Sequence, residues 1–438
     1  MLALTLIFIS LITGCNEEEN QGVTQMRTLS EPLRIMHPDE AQFMNNYGNT
    51  FRIKFPNVKF EVISSKDLAQ NGYKISEVLQ FISDNHPDII VVDPFSYQRR
   101  EIQSLLYPLD RLFQQNGMTL NGFIPSIIAF LNHSGKKPLY GLTPSFISQA
   151  IFWNKDLFNR YMVPYPSGLL SWEEVLDLAK QFPYREGVVG LYEWHPPEFN
   201  PFTLFVKITG TYELDFAGPE GNKRLLSEPL YASIWSRVMD AYRNGYVYNP
   251  LLQTDQQKES SSEYSTNLFL KGKAAMYIDS NYFLRYLRDA SKNGLPEVNW
   301  ETAAMPVNPY DPKISNSYII NEIYAINATS NNLESAWSLL QHIHSDEIAR
   351  VLSRYDDSFG ISTRIAFAKD YLGRELSSFY QLIPSFQEKQ PYAINMEKVP
   401  EYRKTLLDTS LRALDGMIST SEALVQIGKA IEALYSNK

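Results

Sequence analysis

The sequence predicts an α/β fold divided into more than one unit. Three observations carry this expectation. Residues 33–94 alternate short β-type and amphipathic patterns in the order β, α, β, α, β, the order of an open sheet flanked by helices. Within them, Ile89-Ile90-Val91-Val92 is an unbroken apolar run between Pro87-Asp88 and Asp93-Pro94, which suits a buried parallel strand. The chain has 438 residues, more than one ordinary core holds, and its 44% hydrophobic content supplies material for two or three units.

The elements follow in order. Residues 33–36 read as a first strand. His37-Pro38-Asp39-Glu40 ends it and opens a helix carrying Phe43, Met44, Tyr47 and Phe51, which Pro56 stops. Val58, Phe60 and Val62 alternate with polar residues as a second strand, and Ile75, Val78, Leu79 and Ile82 mark an amphipathic helix. In open α/β sheets ligands bind beyond the carboxyl ends of the strands, which brings 36–40 and 93–97 into view. Residues 139–143 form an extended run closed by Pro144. Residues 150–153 are an apolar strand, and Asn154 caps a helix that starts at Lys155 and is broken by Pro164 and Pro166. Ser171 opens another helix. Glu174 completes its capping box, and Trp172, Val175, Leu176 and Ala179 form its apolar face.

Further on, residues 190–197 read as a strand running into an aromatic, proline-stiffened loop. Residues 234–242 read as a helix and 253–265 as a polar, serine-rich surface loop. Residues 267–282 suggest a helix stopped by Gly272, a strand through Ala275 to Ile278, and a turn presenting Asp279 to Tyr282. Leu333, Ala336, Trp337, Leu340 and Ile343 share one face of a helix at 330–345. Two more amphipathic helices span 402–418 and 419–434, the second opened by a Ser419/Glu422 capping box.

At the amino terminus, residues 2–12 are apolar except for Thr5 and Ser10. They are shorter than the roughly 20 apolar residues that span a bilayer, and have the length of a signal-peptide core. The run ends in Leu11-Ile12-Thr13-Gly14-Cys15, which resembles the lipobox of bacterial lipoproteins, although Met1 is followed directly by Leu2-Ala3-Leu4 without a basic stretch. The resemblance implies a signal peptide over 1–14 and a diacylglyceryl anchor on Cys15, two acyl chains being enough for stable attachment. Residues 15–30, with Glu17-Glu18-Glu19, then form a flexible tether. Cys15 is the one cysteine, so no intramolecular disulfide is possible. A net charge of −9 argues against nucleic acid or anionic lipid as the main partner.

Several segments, taken in order, strongly resemble the bacterial extracellular solute-binding proteins of the sugar-binding, maltodextrin-binding-like class. They are the run from Phe55 to Val62 (FPNVKFEV), the run from Pro87 to Asp93, Ser104-Leu105-Leu106-Tyr107-Pro108-Leu109-Asp110, and Tyr140-Gly141-Leu142. Then come Trp153-Asn154-Lys155-Asp156-Leu157-Phe158, Ser171-Trp172-Glu173-Glu174-Val175, the F-x-x-G-K-A-A-M motif from Phe269 to Met276, and S-x-N-x-E-x-A-W-x-L-L from Ser330 to Leu340. The resemblance implies a two-lobed periplasmic-binding-protein-like (type II) fold, each lobe an open mixed sheet flanked by helices and joined by crossing hinge segments. It places the first lobe at 31–142 plus 299–322, with a return strand at 299–306, and the second at 143–298 plus 323–438. It departs from the family at Asn316-Ser317-Tyr318-Ile319-Ile320-Asn321-Glu322, where small, glycine-rich residues are usual. It further implies a lipid-anchored receptor on the extracellular face of a bacterial membrane. That receptor, a monomer without cofactor, captures a mono- or oligosaccharide by hinge closure and delivers it to the separate permease subunits of an ABC importer.

A sugar needs carboxylates and amides for its hydroxyl edges and aromatic rings for its C–H faces. The strand-end turns supply Asp39 and Glu40; Asp93, Phe95 and Tyr97; Trp194 and His195; and Asp279, Asn281 and Tyr282. Tyr318 lies at the crossing back, and Tyr402 starts a late helix where some family members place a stacking aromatic. Asp39 reads equally as a helix cap. Trp153 and Trp172 read as core, because both sit on apolar faces. Alternatives are a receptor of the same fold for a non-sugar solute, a sensor for a membrane kinase, or a crevice glycosidase using Asp39, Asp93 and Asp279. No histidine pair has helical zinc-site spacing, and neither a G-x-x-x-x-G-K-[ST] loop nor a G-x-S-x-G elbow occurs.

Overall fold

The computed structural model describes residues 32–435 except 71, 117–118, 194–200, 219, 250–262, 356–359, 369, 372 and 386–393. The expectations for the signal peptide, Cys15, the tether, Trp194, His195 and most of the 253–265 loop lie outside the described residues.

The β, α, β, α, β order of the first hundred residues produces a sheet. Strands β1 (Leu33–His37), β2 (Phe60–Ser64) and β3 (Ile89–Val92) lie parallel in the order β2-β1-β3. All four residues of β3 are buried, as the unbroken apolar run predicts for a strand covered on both faces. Two later strands extend this sheet antiparallel: β11 (Ile323–Ile326) beside β3, and the two-residue β4 (Gly141–Leu142) beside β11. The parallel ends of β1, β2 and β3 therefore open on one edge, at His37, Ser64 and Val92.

The second sheet is built on one long strand, β5 (Ser145–Asn154). Its later half pairs with β7 (Ala274–Ser280) on one side and β8 (Trp300–Ala304) on the other, both antiparallel. Its first half pairs with β10 (Tyr318–Ile319) and β12 (Ile361–Ser362). β6 (Val189–Tyr192) runs parallel to β7. Alternation along β5 serves both faces: Ile151 and Trp153 join one apolar cluster with Trp172, Val175 and Trp235, while Ala150 and Phe152 join another with Phe269, Phe283 and Trp300. Trp153 and Trp172 are thus core, as expected.

Strand membership corrects two of the lobe assignments. The 300–304 strand, expected in the first lobe, pairs with β5 in the second sheet. The 323–326 strand, expected in the second lobe, is hydrogen-bonded between β3 and β4 in the first. The chain thus passes from the first sheet to the second at 142–145, and from the second to the first at 319–323. The helix Leu333–Ile343 packs on β11 in the first sheet's core, whereas the helices Val399–Leu414 and Thr420–Tyr435 pack in the second. An apolar strand carries no local mark of the sheet it joins, which is why order alone misplaced these two.

Local signals held. Ser171 and Glu174 form a complete capping box, Ser419 and Glu422 exchange the same bonds, and Asn154 caps Lys155–Tyr161. The helix expected before the F-x-x-G-K-A-A-M strand is shorter, Glu263–Thr266. Asn267 Oδ1 accepts from the amides of Phe269 and Leu270, turning the chain toward Gly272. Among the described residues, no helix is long and apolar enough to cross a membrane.

Candidate functional site

A pocket opens where the two crossing segments meet the carboxyl edge of the first sheet. Its cavity volume is about 70 Å³, open to solvent at its mouth. Four stretches line it. Gln42, Asn46 and Tyr47 come from the helical segment after β1; residues 143–147 are the first crossing; Asn321 and Glu322 belong to the second; Tyr282 lies in the turn after β7. The segment after β1 contains one wide π turn, Met44–Gly48, which carries Asn46 and Tyr47. Such turns recur at functional sites.

The wall at β1 is a hydrogen-bonded network. Tyr324, wholly buried in β11, donates its hydroxyl to Glu322 Oε2 at 2.9 Å. His37, equally buried, places Nε2 3.1 Å from the Tyr324 hydroxyl and 3.4 Å from Glu322 Oε1. The backbone N–H of Asp39 donates to His37 Nδ1 at 3.0 Å. Tyr47 hydrogen-bonds Tyr324 in turn, so the network ties strand β1, the following helix and the second crossing together. Burial, with the charges of Asp93 and Glu322, pushes the Tyr73 hydroxyl up to about 12.

The second sheet offers its own strand-end cluster. Glu193 follows β6 almost completely buried and forms an ion pair with Lys207 on the helix Phe202–Thr211. Asp279, at the end of the parallel strand β7, accepts from the Tyr277 hydroxyl at 2.6 Å and from the Ser280 amide at 2.6 Å. Burial raises its carboxyl above the usual carboxylate range, while those donors and the Lys207 charge offset part of the effect.

The structure brings some of the expected residues together and not others. Tyr282 lines the pocket. Asp39 and Glu40 are exposed and not among its lining residues, and Asp39 caps the helix by accepting from the Gln42 amide at 2.9 Å. Asp93 also caps a helix, Pro94–Gln98, with Oδ1 taken by the amides of Phe95 and Ser96 and Oδ2 by the Ser96 hydroxyl. Phe95 lies under the Arg99 guanidinium. Asn281 is turned to the chain, its Oδ1 accepting from the Ser148 amide at 3.0 Å, so it fixes the start of β5 against the end of β7. Tyr318 stacks at a tilt on Phe146 and donates to the Leu382 carbonyl; burial drives its hydroxyl up.

Tyr97 and Tyr402 stand away from the pocket. Tyr97 has no exposed surface, donates to the Leu131 carbonyl at 3.0 Å and accepts from the Tyr140 amide. Tyr402 packs in the helical layer of the second lobe, near Tyr435. Tyr47, Gln42, Asn46, Thr143, Ser145, Phe146 and Glu322 were not anticipated as site residues. The Asn321-Glu322 departure from the small residues usual in the family was the one signal that pointed at this wall. Among the described residues, no group of His, Cys, Asp and Glu is arranged to hold a metal ion.

The model of the family described as bacterial extracellular solute-binding protein matches residues 38–349. The chain belongs to that family. Among solved structures, this solute-binding protein is similar to a family 1 extracellular solute-binding protein from Alicyclobacillus acidocaldarius, with 11% identity, a TM-score of 0.63, and coverage of 93% of this chain and 100% of the other. A sugar transporter from Rhizobium etli in an open conformation gives 17% identity, a TM-score of 0.58 and coverage of 92% and 100%. The sugar-binding protein MalE from Xanthomonas citri gives 15%, 0.56, and 92% and 97%. At such identities the likeness establishes the fold, which is the two-lobed, type II solute-binding architecture. Relatives from Brucella abortus (strain 2308) and Brucella suis biovar 1, named only as binding proteins, are 20% identical over 290 residues. The aligned part spans 64% of this chain and 64% of those relatives' length.

Proposed function

We propose that this solute-binding protein captures a carbohydrate between its lobes and delivers it to the permease of an ABC importer. The observation that carries the reading is the composition of the pocket. Three amides (Gln42, Asn46, Asn321) and two hydroxyl side chains (Thr143, Ser145) line it beside three aromatic rings (Tyr47, Phe146, Tyr282), and none of the described lining residues is Lys or Arg. That set matches the hydroxyl edges and C–H faces of a sugar and offers nothing to an anion. The names of the Rhizobium and Xanthomonas proteins support the same class. Closure of the lobes over the solute would create the form that a permease distinguishes from the empty one. The lipobox-like segment supports anchoring through Cys15 on the outer face of the membrane.

A thermal-shift and calorimetric screen of mono- and oligosaccharides tests this. A solute that binds only the folded chain stabilises it by about 3 kcal/mol at a hundred times its Kd. At least one saccharide should raise the melting temperature in proportion to concentration. If only non-carbohydrate solutes do so, the protein is a receptor of the same fold for another class.

A further inference from the structure

Glu322 is the one carboxylate among the described residues lining the pocket, and none of the described Lys or Arg residues forms an ion pair with it. Its side chain is 18% exposed and reaches the pocket from the second crossing. Two groups meet it inside the protein, the Tyr324 hydroxyl at 2.9 Å and His37 Nε2 at 3.4 Å. The His37 contact is not a salt bridge. Asp39 N–H donates to Nδ1, so that nitrogen carries no proton and the ring's single proton sits on Nε2. That proton faces the nearer Tyr324 hydroxyl at 3.1 Å, and Tyr324 in turn donates to Glu322, so the donor that reaches the carboxylate is a neutral hydroxyl.

This wall holds the negative charge of Glu322, one of whose acceptor positions is taken by the Tyr324 hydroxyl, leaving others for a solute in the pocket it lines. A neutral hydroxyl would satisfy such a position. An ammonium group would satisfy it with a charge-assisted bond, roughly twice as strong, and would also balance the charge. We infer that Glu322 is a specificity-determining residue that receives a protonated amino group of the solute. The site then favours an amino sugar over its neutral counterpart and rejects uronic acids. This rests on the carbohydrate reading above and narrows it.

Matched pairs test the inference by calorimetry near pH 6.5: glucosamine against glucose, galactosamine against galactose, and a chitosan trimer against cellotriose, with galacturonate and putrescine as further probes. At least one amino sugar should bind about tenfold more tightly than its neutral partner, as a hydrogen bond to a charged group provides. Glu322→Gln keeps an oxygen for Tyr324 and should erase that ratio, whatever its effect on the neutral member of each pair. Wild-type affinity for the amine should fall between 50 and 500 mM salt while neutral binding holds, a readout that needs no variant. Equal binding within every pair, or a ratio untouched in Glu322→Gln, overturns the inference and leaves the carbohydrate reading standing. Binding of putrescine alone, lost in Glu322→Gln, removes the carbohydrate reading and keeps the charge assignment. If nothing in the panel binds, both fall.

Discussion

Replacing Lys207 by Met should be the most damaging single charge removal in the second lobe. The Glu193 side chain is 2% exposed and its Lys207 partner 16% exposed, so the pair sits where water gives little help. Removing one partner of such a pair costs about 3–5 kcal/mol, because a desolvated carboxylate remains without its cation. Lys207 retains some solvent contact, which puts the expected loss near the lower end, about 3 kcal/mol. Asp279 adds to the effect, since the Lys207 charge also favours its ionised form. The double variant Glu193→Gln/Lys207→Met removes both charges from similar volumes and should recover more than half of the loss. Urea denaturation followed by circular dichroism and by tryptophan fluorescence measures the difference, with coincident curves licensing a free energy. A Lys207→Met variant within about 0.5 kcal/mol of wild type, or a double variant as unstable as the single, would refute this account of the cluster.

Two further outcomes follow from other regions. Burial lowers the His344 imidazole to about 4 from its ordinary 6.5, with the Leu340 and Leu142 carbonyls offsetting part of the effect. A folded-state value below the unfolded one means that its contribution is present above pH 6.5 and is lost as pH falls from 6.5 toward 4, by up to about 3 kcal/mol. His344→Gln should flatten that part of the stability–pH curve, and parallel curves for the two proteins would exclude the mechanism. At the other end of the chain, Cys15→Ser should move the protein from the membrane fraction to the medium and abolish palmitate labelling; retention on the membrane would show that attachment does not use this thiol.

The parts of the fold legible in the sequence are those whose causes are local. Ser171 and Glu174 bond each other three residues apart, and the β3 run is buried because all four of its side chains are apolar. Pairing partners were less legible. β8 lies beside β5, from which it is separated by about 150 residues, and nothing within Trp300-Glu301-Thr302-Ala303-Ala304 encodes that choice. The candidate site shows the same division. The strand-end rule pointed to the edge of the first sheet where the candidate pocket lies, but it selected Asp93, whose oxygens serve a helix cap, and Tyr97, which is core. Tyr47 was read as part of an apolar face, and it is indeed buried; only its place beside the crossing gives it a second role.

The crossings themselves explain why binding and lobe movement would be coupled. β4 and β11 approach so closely that a Cβ on Gly141 would lie 2.8 Å from Ile323 Cγ2 and 2.9 Å from the Tyr324 carbonyl oxygen. In the closure we propose, these two strands would stay with the first sheet and the swing would be absorbed beyond them, at 143–145 and 319–322. Those short stretches also line the pocket, with Thr143 and Ser145 in one and Asn321 and Glu322 in the other. A ligand can shift a conformational equilibrium only by the difference in its affinity for the two states. A solute seated on Gln42 and Asn46 from one lobe and on Tyr282 from the other gains contacts only when the joints bend, while the joints themselves present Ser145 and Glu322 to it. In the closure we propose, the residues that absorb the rotation and those that read the solute are neighbours in the same segments, so bulkier side chains at 316–322 bear on both selectivity and hinge travel.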